Sequence, residues 1–261
     1  MKKIKDIDCF LLDMDGTIYL GDKLIEGARE FLKTIAAQGK RSIFITNNSS
    51  KNKYSYQEKL KKMKIEVNPE DIFTSGEATT IYLNKHKRGA KIFLLGTPLL
   101  EEEFIQAGFE LVSEGTPDFV VVGFDTTLTY NKLWKACDYI RERVDYLATH
   151  PDYNCPIGSG SYMPDAGAII KFIEASTGES PLVIGKPNHY IIDSLCEKYQ
   201  LSIENTAIVG DRLYTDIRLG LNAGITTILV LSGETSPEQY YSSDLSASYV
   251  FPSVKELSQL I

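Results

Sequence analysis

Short apolar runs alternate along this chain with longer stretches in which apolar residues recur at helical spacing. Residues 7–12 form one such run and predict a buried strand. Residues 26–38 predict a helix closed by Gly39, residues 41–45 a second strand and residues 51–63 a second helix. Alternation of this kind predicts a parallel sheet with helices on both faces, because a helix-length crossover lets successive strands run in one direction. The rhythm returns near the C-terminus, with strands predicted at 182–184, 207–209, 227–231 and 249–251. Helices fall between them at 190–199 and about 215–223, and a short one ends near Ile261. The middle carries strands at 92–95, 119–122 and 146–148, with helices at 99–107, 131–143 and 168–176. The predicted fold class is α/β, a doubly wound parallel sheet with a smaller inserted α/β domain. The insertion is expected at 76–180, leaving 1–75 and 181–261 as the core, because the polar motifs flanking it read as parts of one site.

Composition narrows the partners. The chain has 261 residues, 43% hydrophobic and 24% charged, and a net charge of -7. That balance argues against a general nucleic-acid or anionic-membrane surface, though a local basic pocket remains compatible with it. Cys9, Cys137, Cys155 and Cys196 show no CxxC spacing and read as buried free thiols. His86, His150 and His189 are scattered, which excludes a zinc site at ligand spacing. The N-terminal apolar run ends at Asp13, and no uninterrupted apolar span is long enough to cross a membrane. The expectation is a cytoplasmic protein, monomer or homodimer.

Four polar motifs follow predicted strands, where parallel α/β sheets collect their ligands. Asp13-Met14-Asp15-Gly16-Thr17 follows the first strand. One of its carboxylates can attack while the other moves a proton, and Gly16 allows a sharp turn close to a phosphate. An EF-hand fails on residues, since Ile18 stands at its glycine position and Leu24 at its final glutamate. Thr46-Asn47-Asn48-Ser49-Ser50 offers hydroxyl, amide and main-chain N–H groups for a phosphate cradle, and serves equally as a helix cap. Lys186, in Gly185-Lys186-Pro187-Asn188, is either a phosphate-neutralising charge or a solvated one. Asp211 and Asp216, five apart across a turn, can face a common cation, or Asp216 can serve the helix dipole. Together these place the motifs at the ends of four strands of one expected sheet.

In this order, Asp13-x-Asp15, Thr46-Asn47, Lys186 and Asp211…Asp216 resemble the four motifs of the haloacid dehalogenase superfamily of phosphohydrolases, over essentially the whole chain. The position of the insertion, with Thr46-Asn47-Asn48-Ser49 and Gly185-Lys186-Pro187-Asn188, resembles the NagD-like subgroup. The resemblance implies a phosphatase acting on a small phosphorylated metabolite through an aspartyl-phosphate on Asp13, with Asp15 as acid and base. It implies that Thr46, Asn47, Asn48, Gly16 and nearby backbone N–H groups hold phosphoryl oxygens, balanced by Lys186. It further implies Mg2+ held by Asp13, the Asp15 carbonyl, Asp211 and Asp216. A phosphotransferase or phosphomutase on the same fold, or a non-catalytic binding protein, is the alternative. Asp15 argues against a dehalogenase, which has no alkoxide to protonate. After the strand at 146–148, Pro151 is expected to release residues 149–156 into a polar loop. His150 and Asp152 there either contact the leaving group, or cap a turn and pack at a domain seam.

Overall fold

Apolar runs too short for helices become the strands of two separate large sheets in the computed structural model, which describes residues 3–158 and 160–261. The chain divides into two compact units. One holds the residues through Thr46 with Tyr56–Phe73 and Leu195–Ile261, and the other holds Asn47–Ser55 and Thr74–Ser194.

The first unit is built on a six-stranded sheet. Its order is Tyr249–Phe251, Thr226–Val230, Thr206–Gly210, Cys9–Leu12, Arg41–Thr46 and Ile72–Thr74. The four pairings from Tyr249–Phe251 across to Arg41–Thr46 are parallel. The two central strands bury every side chain, the pattern of strands covered on both faces. Phe10, Leu12, Phe44, Ala207 and Val209 form the core with Phe31 and Ile35 of helix Ala28–Ala37. That helix starts after Gly27, which sits at φ +82° against the Lys255 side chain. Helix Lys53–Lys62 contributes Tyr56 and Leu60 to the same core. A small antiparallel hairpin, Tyr19–Leu20 with Lys23–Leu24, follows the Asp15-Gly16 turn.

The second unit has its own five-stranded parallel sheet, ordered Leu182–Val183, Asp145–Ala148, Phe119–Val122, Lys91–Leu95 and Glu110–Leu111. Its core packs Phe93, Leu95, Val120 and Val122 against Leu133 and Ile140 of helix Tyr130–Arg141 and Ile169, Ile170 and Ile173 of helix Ala166–Thr177. Four helices open on side-chain caps: Thr74, Thr97, Thr129 and Asp165 each accept a backbone N–H of the first turn. Among the described residues no helix is long and apolar enough to cross a membrane.

Three expectations are corrected. The strand preceding Lys186 does not join the first sheet. Leu182–Val183 pairs with Leu147 and Ala148 at an edge of the second. A two-residue strand carries no periodicity of its own, so only long-range pairing decides its sheet. The loop expected at 149–156 is shorter than predicted, because Asn154–Gly158 pairs antiparallel with Ser161–Pro164. Asp216 does not sit in a first α-helical turn but in the wide turn Leu213–Ile217, ahead of helix Arg218–Ala223. The predicted domain borders at 75/76 and 180/181 compare with unit changes at 46/47, 55/56, 73/74 and 194/195. The cysteines form no disulfide, and Cys155 and Cys196 are only half-buried.

Candidate active site

In the first unit, parallel register brings two motifs side by side. Leu12 lies opposite Val209, so Asp13 and Asp211 leave adjacent central strands at their carboxyl ends. The Asp13 N–H extends the ladder to Val209 O at 2.9 Å. The backbone then turns at Gly16, φ +85°, with Gly16 N–H donating to Tyr19 O at 2.7 Å. A Cβ at Gly16 would collide with the Asp211 carboxylate, so glycine is needed for space as well as for conformation. Thr46 ends the strand on the other side of Cys9–Leu12.

Asp13, Asp211 and Asp216 present oxygens within 4.8 Å of one another. Asp211 is nearly sealed from solvent and Asp216 completely so. The wide turn that carries Asp216 is closed by Ile217 N–H to Arg212 O at 3.2 Å, an i→i+5 bond of the kind found at functional sites. The Asp216 carboxylate in turn accepts the Arg212 N–H at 3.2 Å. Asp211 Oδ2 accepts Glu234 N–H at 2.6 Å, whereas its Oδ1 is buried without a hydrogen-bond partner. Burial, then the charges of Asp13 and Asp216, push the Asp211 carboxyl well above the usual range. An orphaned buried oxygen among three converging carboxylates fits a hard divalent cation, which takes oxygen ligands and removes the repulsion. The residues therefore fit the Mg2+ that the sequence resemblance implies.

Asp15 has a different environment. Burial raises its carboxyl, and the nearby charges of Lys59 and Arg212 pull it partly back. A carboxyl raised by burial holds a proton longer than a solvated one. Arg212 is itself braced, with Nε 2.9 Å from Glu234 Oε2. Lys59 lies 3.9 Å from the Tyr19 ring centroid.

In the second unit, Asn47 and Lys186 meet. The Asn47 side chain clamps the Lys186 backbone, with Oδ1 accepting its N–H and Nδ2 donating to its carbonyl, both at 2.9 Å. Nδ2 also donates to the Asp152 carboxylate, at 3.1 Å to Oδ1. The amide expected to reach phosphoryl oxygens is thus taken up by protein partners. Asn48 Oδ1 accepts the Ser50 N–H at 2.9 Å and hydroxyl at 2.7 Å, and its Nδ2 reaches Cys155 Sγ at 3.6 Å. Lys186 is buried and Asp152 half-buried.

His150, in the same unit, is fully buried. Its Nδ1 shares a 2.8 Å hydrogen bond with Thr149 Oγ1, and its Nε2 another of 2.8 Å with Asp165 Oδ1. Thr149 continues to Ser49 at 2.9 Å, whose hydroxyl accepts Phe124 N–H at 2.9 Å. Burial disfavours the imidazolium, but Asp165, its hydrogen bond and Asp152 outweigh it and raise the His150 pKa. Both ring nitrogens of His150 are engaged by protein partners, and the side chain has no exposed surface.

Sequence reasoning missed Ser49, Thr149 and Asp165 as a network, and Arg212, Ser232 and Glu234 around the carboxylates. Asp165 did carry a signal, as an N-cap ahead of an apolar helix. Ser232 and Glu234 carried none beyond an ordinary turn composition.

Two family descriptions match the chain: haloacid dehalogenase-like hydrolase over residues 10–110, and HAD-hydrolase-like over residues 183–257. An acid sugar phosphatase from Staphylococcus aureus (strain MRSA252) is 34% identical over 253 residues, 97% of each chain. Among solved structures, a 4-nitrophenylphosphatase from Thermotoga maritima is 47% identical with a TM-score of 0.95, covering 99% of both chains. NagD from E. coli K-12 is 33% identical with a TM-score of 0.88, covering 96% of this chain and 98% of that one.

Proposed function

This chain belongs to the haloacid dehalogenase-like hydrolases, in their NagD-like phosphatase group, and from that premise we propose that it hydrolyses small sugar or aryl phosphate monoesters through a phosphoryl intermediate on Asp13. The observation that carries the reading is the cluster of Asp13 and Asp211, at the ends of adjacent strands, with Asp216 from the turn that follows, one Asp211 oxygen being left without a partner.

In the first step, a carboxylate oxygen of Asp13 bonds to phosphorus as the ester P–O bond breaks. The leaving alkoxide takes the proton held by Asp15, whose raised carboxyl suits it to that role. In the second step, water gives a proton to Asp15 and attacks phosphorus. The bond to Asp13 then breaks and inorganic phosphate leaves. Thr46 and main-chain N–H groups of the first motif are assigned to the phosphoryl oxygens, and Lys186 to their charge. The Asn47 clamp on the Lys186 backbone supports that assignment by holding the lysine in place. Asp13, the Asp15 carbonyl, Asp211 and Asp216 would hold Mg2+. Once bound, the cation supplies charge that offsets the incoming phosphate dianion and stabilises the equatorial oxygens. The inserted domain, placed by sequence at 76–180, is assigned the selection of the leaving group, with Asp152 as its polar contact.

The test is phosphate release from a panel of sugar phosphates and 4-nitrophenyl phosphate, with Mg2+ and with a chelator. Turnover is expected with Mg2+ alone, and Asp13→Asn should abolish it because an amide is a poor nucleophile. Turnover that survives complete metal removal, or persists in the Asp13→Asn protein, rejects the mechanism.

A further inference from the structure

The segment after strand Thr226–Val230 packs against Asp211 and the Gly16 turn. Leu231 N–H closes the ladder on Phe251 O at 3.0 Å, and residues 232–235 then fold back. Ser232 Oγ donates to Gly16 O at 2.8 Å. Gly233 lies so close to Asp211 that any Cβ there would collide with its carboxylate. Glu234 N–H donates to Asp211 Oδ2 at 2.6 Å, and Thr235 N–H to Asp211 O at 3.3 Å. The segment therefore grips Asp211 at both main chain and side chain, and it ties down the carbonyl next to Asp15.

The Glu234 side chain anchors this grip. Its two oxygens are occupied by Arg212 Nε at 2.9 Å and the Tyr214 hydroxyl at 2.6 Å. Both partners belong to the Asp211-to-Asp216 segment, so Glu234 ties the strap to the loop that carries two of the three carboxylates. Its own charge is balanced by the guanidinium, so the strap delivers an N–H donor and not a fourth free anion. A charge-assisted N–H bond fixes Asp211 Oδ2, which leaves Oδ1 as the oxygen presented, and that oxygen has no protein partner.

We infer that the Ser232–Thr235 strap, anchored by Glu234, is a positioning device that sets the orientation of Asp211 and thereby the affinity of the site for a divalent cation. Partners behind a metal-binding carboxylate commonly change metal affinity by about 10–100-fold when removed. The inference rests on the metal reading above, and the experiment separates the two. Mg2+ is titrated into the apo forms of the wild type, Glu234→Ala, Glu234→Gln and Ser232→Ala, and the dissociation constant is read from the Mg2+-dependent rise in melting temperature. The melting temperature without metal is the second readout. Glu234 is 46% exposed on its side chain, which favours folding of the Ala variant. Ser232→Ala and Glu234→Gln are the milder variants should it fail. The expected result is a Kd for Mg2+ raised about ten-fold in Glu234→Ala, a smaller rise in Glu234→Gln and Ser232→Ala, and kcat recovered at saturating Mg2+. A metal affinity within two-fold of wild type in all folded variants overturns the strap. So does a loss in metal-free stability with unchanged Mg2+ affinity, which would make the strap merely structural. No Mg2+ response in the wild type would reject the metal reading first, and the strap's role with it.

Discussion

His150→Ala should destabilise the second unit far more than it alters substrate preference. The ring is completely buried and makes two hydrogen bonds of 2.8 Å, one of them to the Asp165 carboxylate. A neutral hydrogen bond contributes about 1 kcal/mol and one to a charged group about 1.5–3 kcal/mol. Emptying a ring-sized volume in a packed interior adds a cavity cost. Two features soften the loss. Asp165 keeps the Ala166 N–H at 2.6 Å, and Thr149 keeps Ser49 at 2.9 Å, so neither partner is orphaned. The net expectation is about 4 kcal/mol. At about 2–4 °C per kcal/mol for proteins of this size, the melting temperature should fall by about 8–16 °C. Calorimetry or circular dichroism reads the shift, and kcat/KM is measured in parallel on several sugar phosphates and an aryl phosphate. Because the ring touches no solvent-accessible surface, relative losses should be alike across the esters. A melting temperature within 2 °C of wild type, or a loss confined to one ester, would refute the argument and return His150 to the role of a substrate contact.

The remaining predictions follow from the titrating groups. The His150 pKa is raised in the folded protein, so its charge-dependent stabilisation is fully present below the unfolded value of about 6.5 and is lost as pH rises through the folded value. The melting-temperature gap between wild type and His150→Ala should therefore narrow on going from acid to alkaline pH, and a gap that widens contradicts the assignment. Asp211 is a carboxyl with a raised pKa. The folded apo protein holds its proton longer than the unfolded chain, and stability falls as pH climbs from about 3.9 through the folded value. Without metal, Asp211→Asn should thus melt higher than wild type at neutral pH, with the advantage vanishing near pH 4. A less stable variant at pH 7 in chelator would show that the carboxylates do not repel. Asp15→Asn should slow phosphorylation by alkyl phosphates much more than by an activated aryl phosphate, whose leaving group needs little protonation. Rapid-quench burst amplitudes and rates decide it, and equal losses would make Asp15 structural.

Much of this architecture was legible in the pattern of apolar residues. Residues 7–12, 41–45 and 207–209 read as strands because each is a short run ending in consecutive apolar residues, the mark of a strand covered on both faces, and a polar residue soon after such a run leaves the sheet at its carboxyl end. That local rule put Asp13, Thr46 and Asp211 at the carboxyl ends of strands of one sheet, and the structure makes those three strands neighbours. It misplaced Lys186, because Leu182–Val183 is too short to show which sheet it will pair with. It was silent on the use of each polar group. The Asn47 amide binds a backbone 139 residues away, and Ser232 reaches a carbonyl at a separation of 216. His150 looks in sequence like a loop residue free to meet a ligand, yet tertiary packing seals it against Thr149 and Asp165. Periodicity is set by the two faces of one element and can be read from neighbours in the chain. The partner that satisfies a buried donor or acceptor comes from whatever element is packed against it, and the folded chain alone decides which that is.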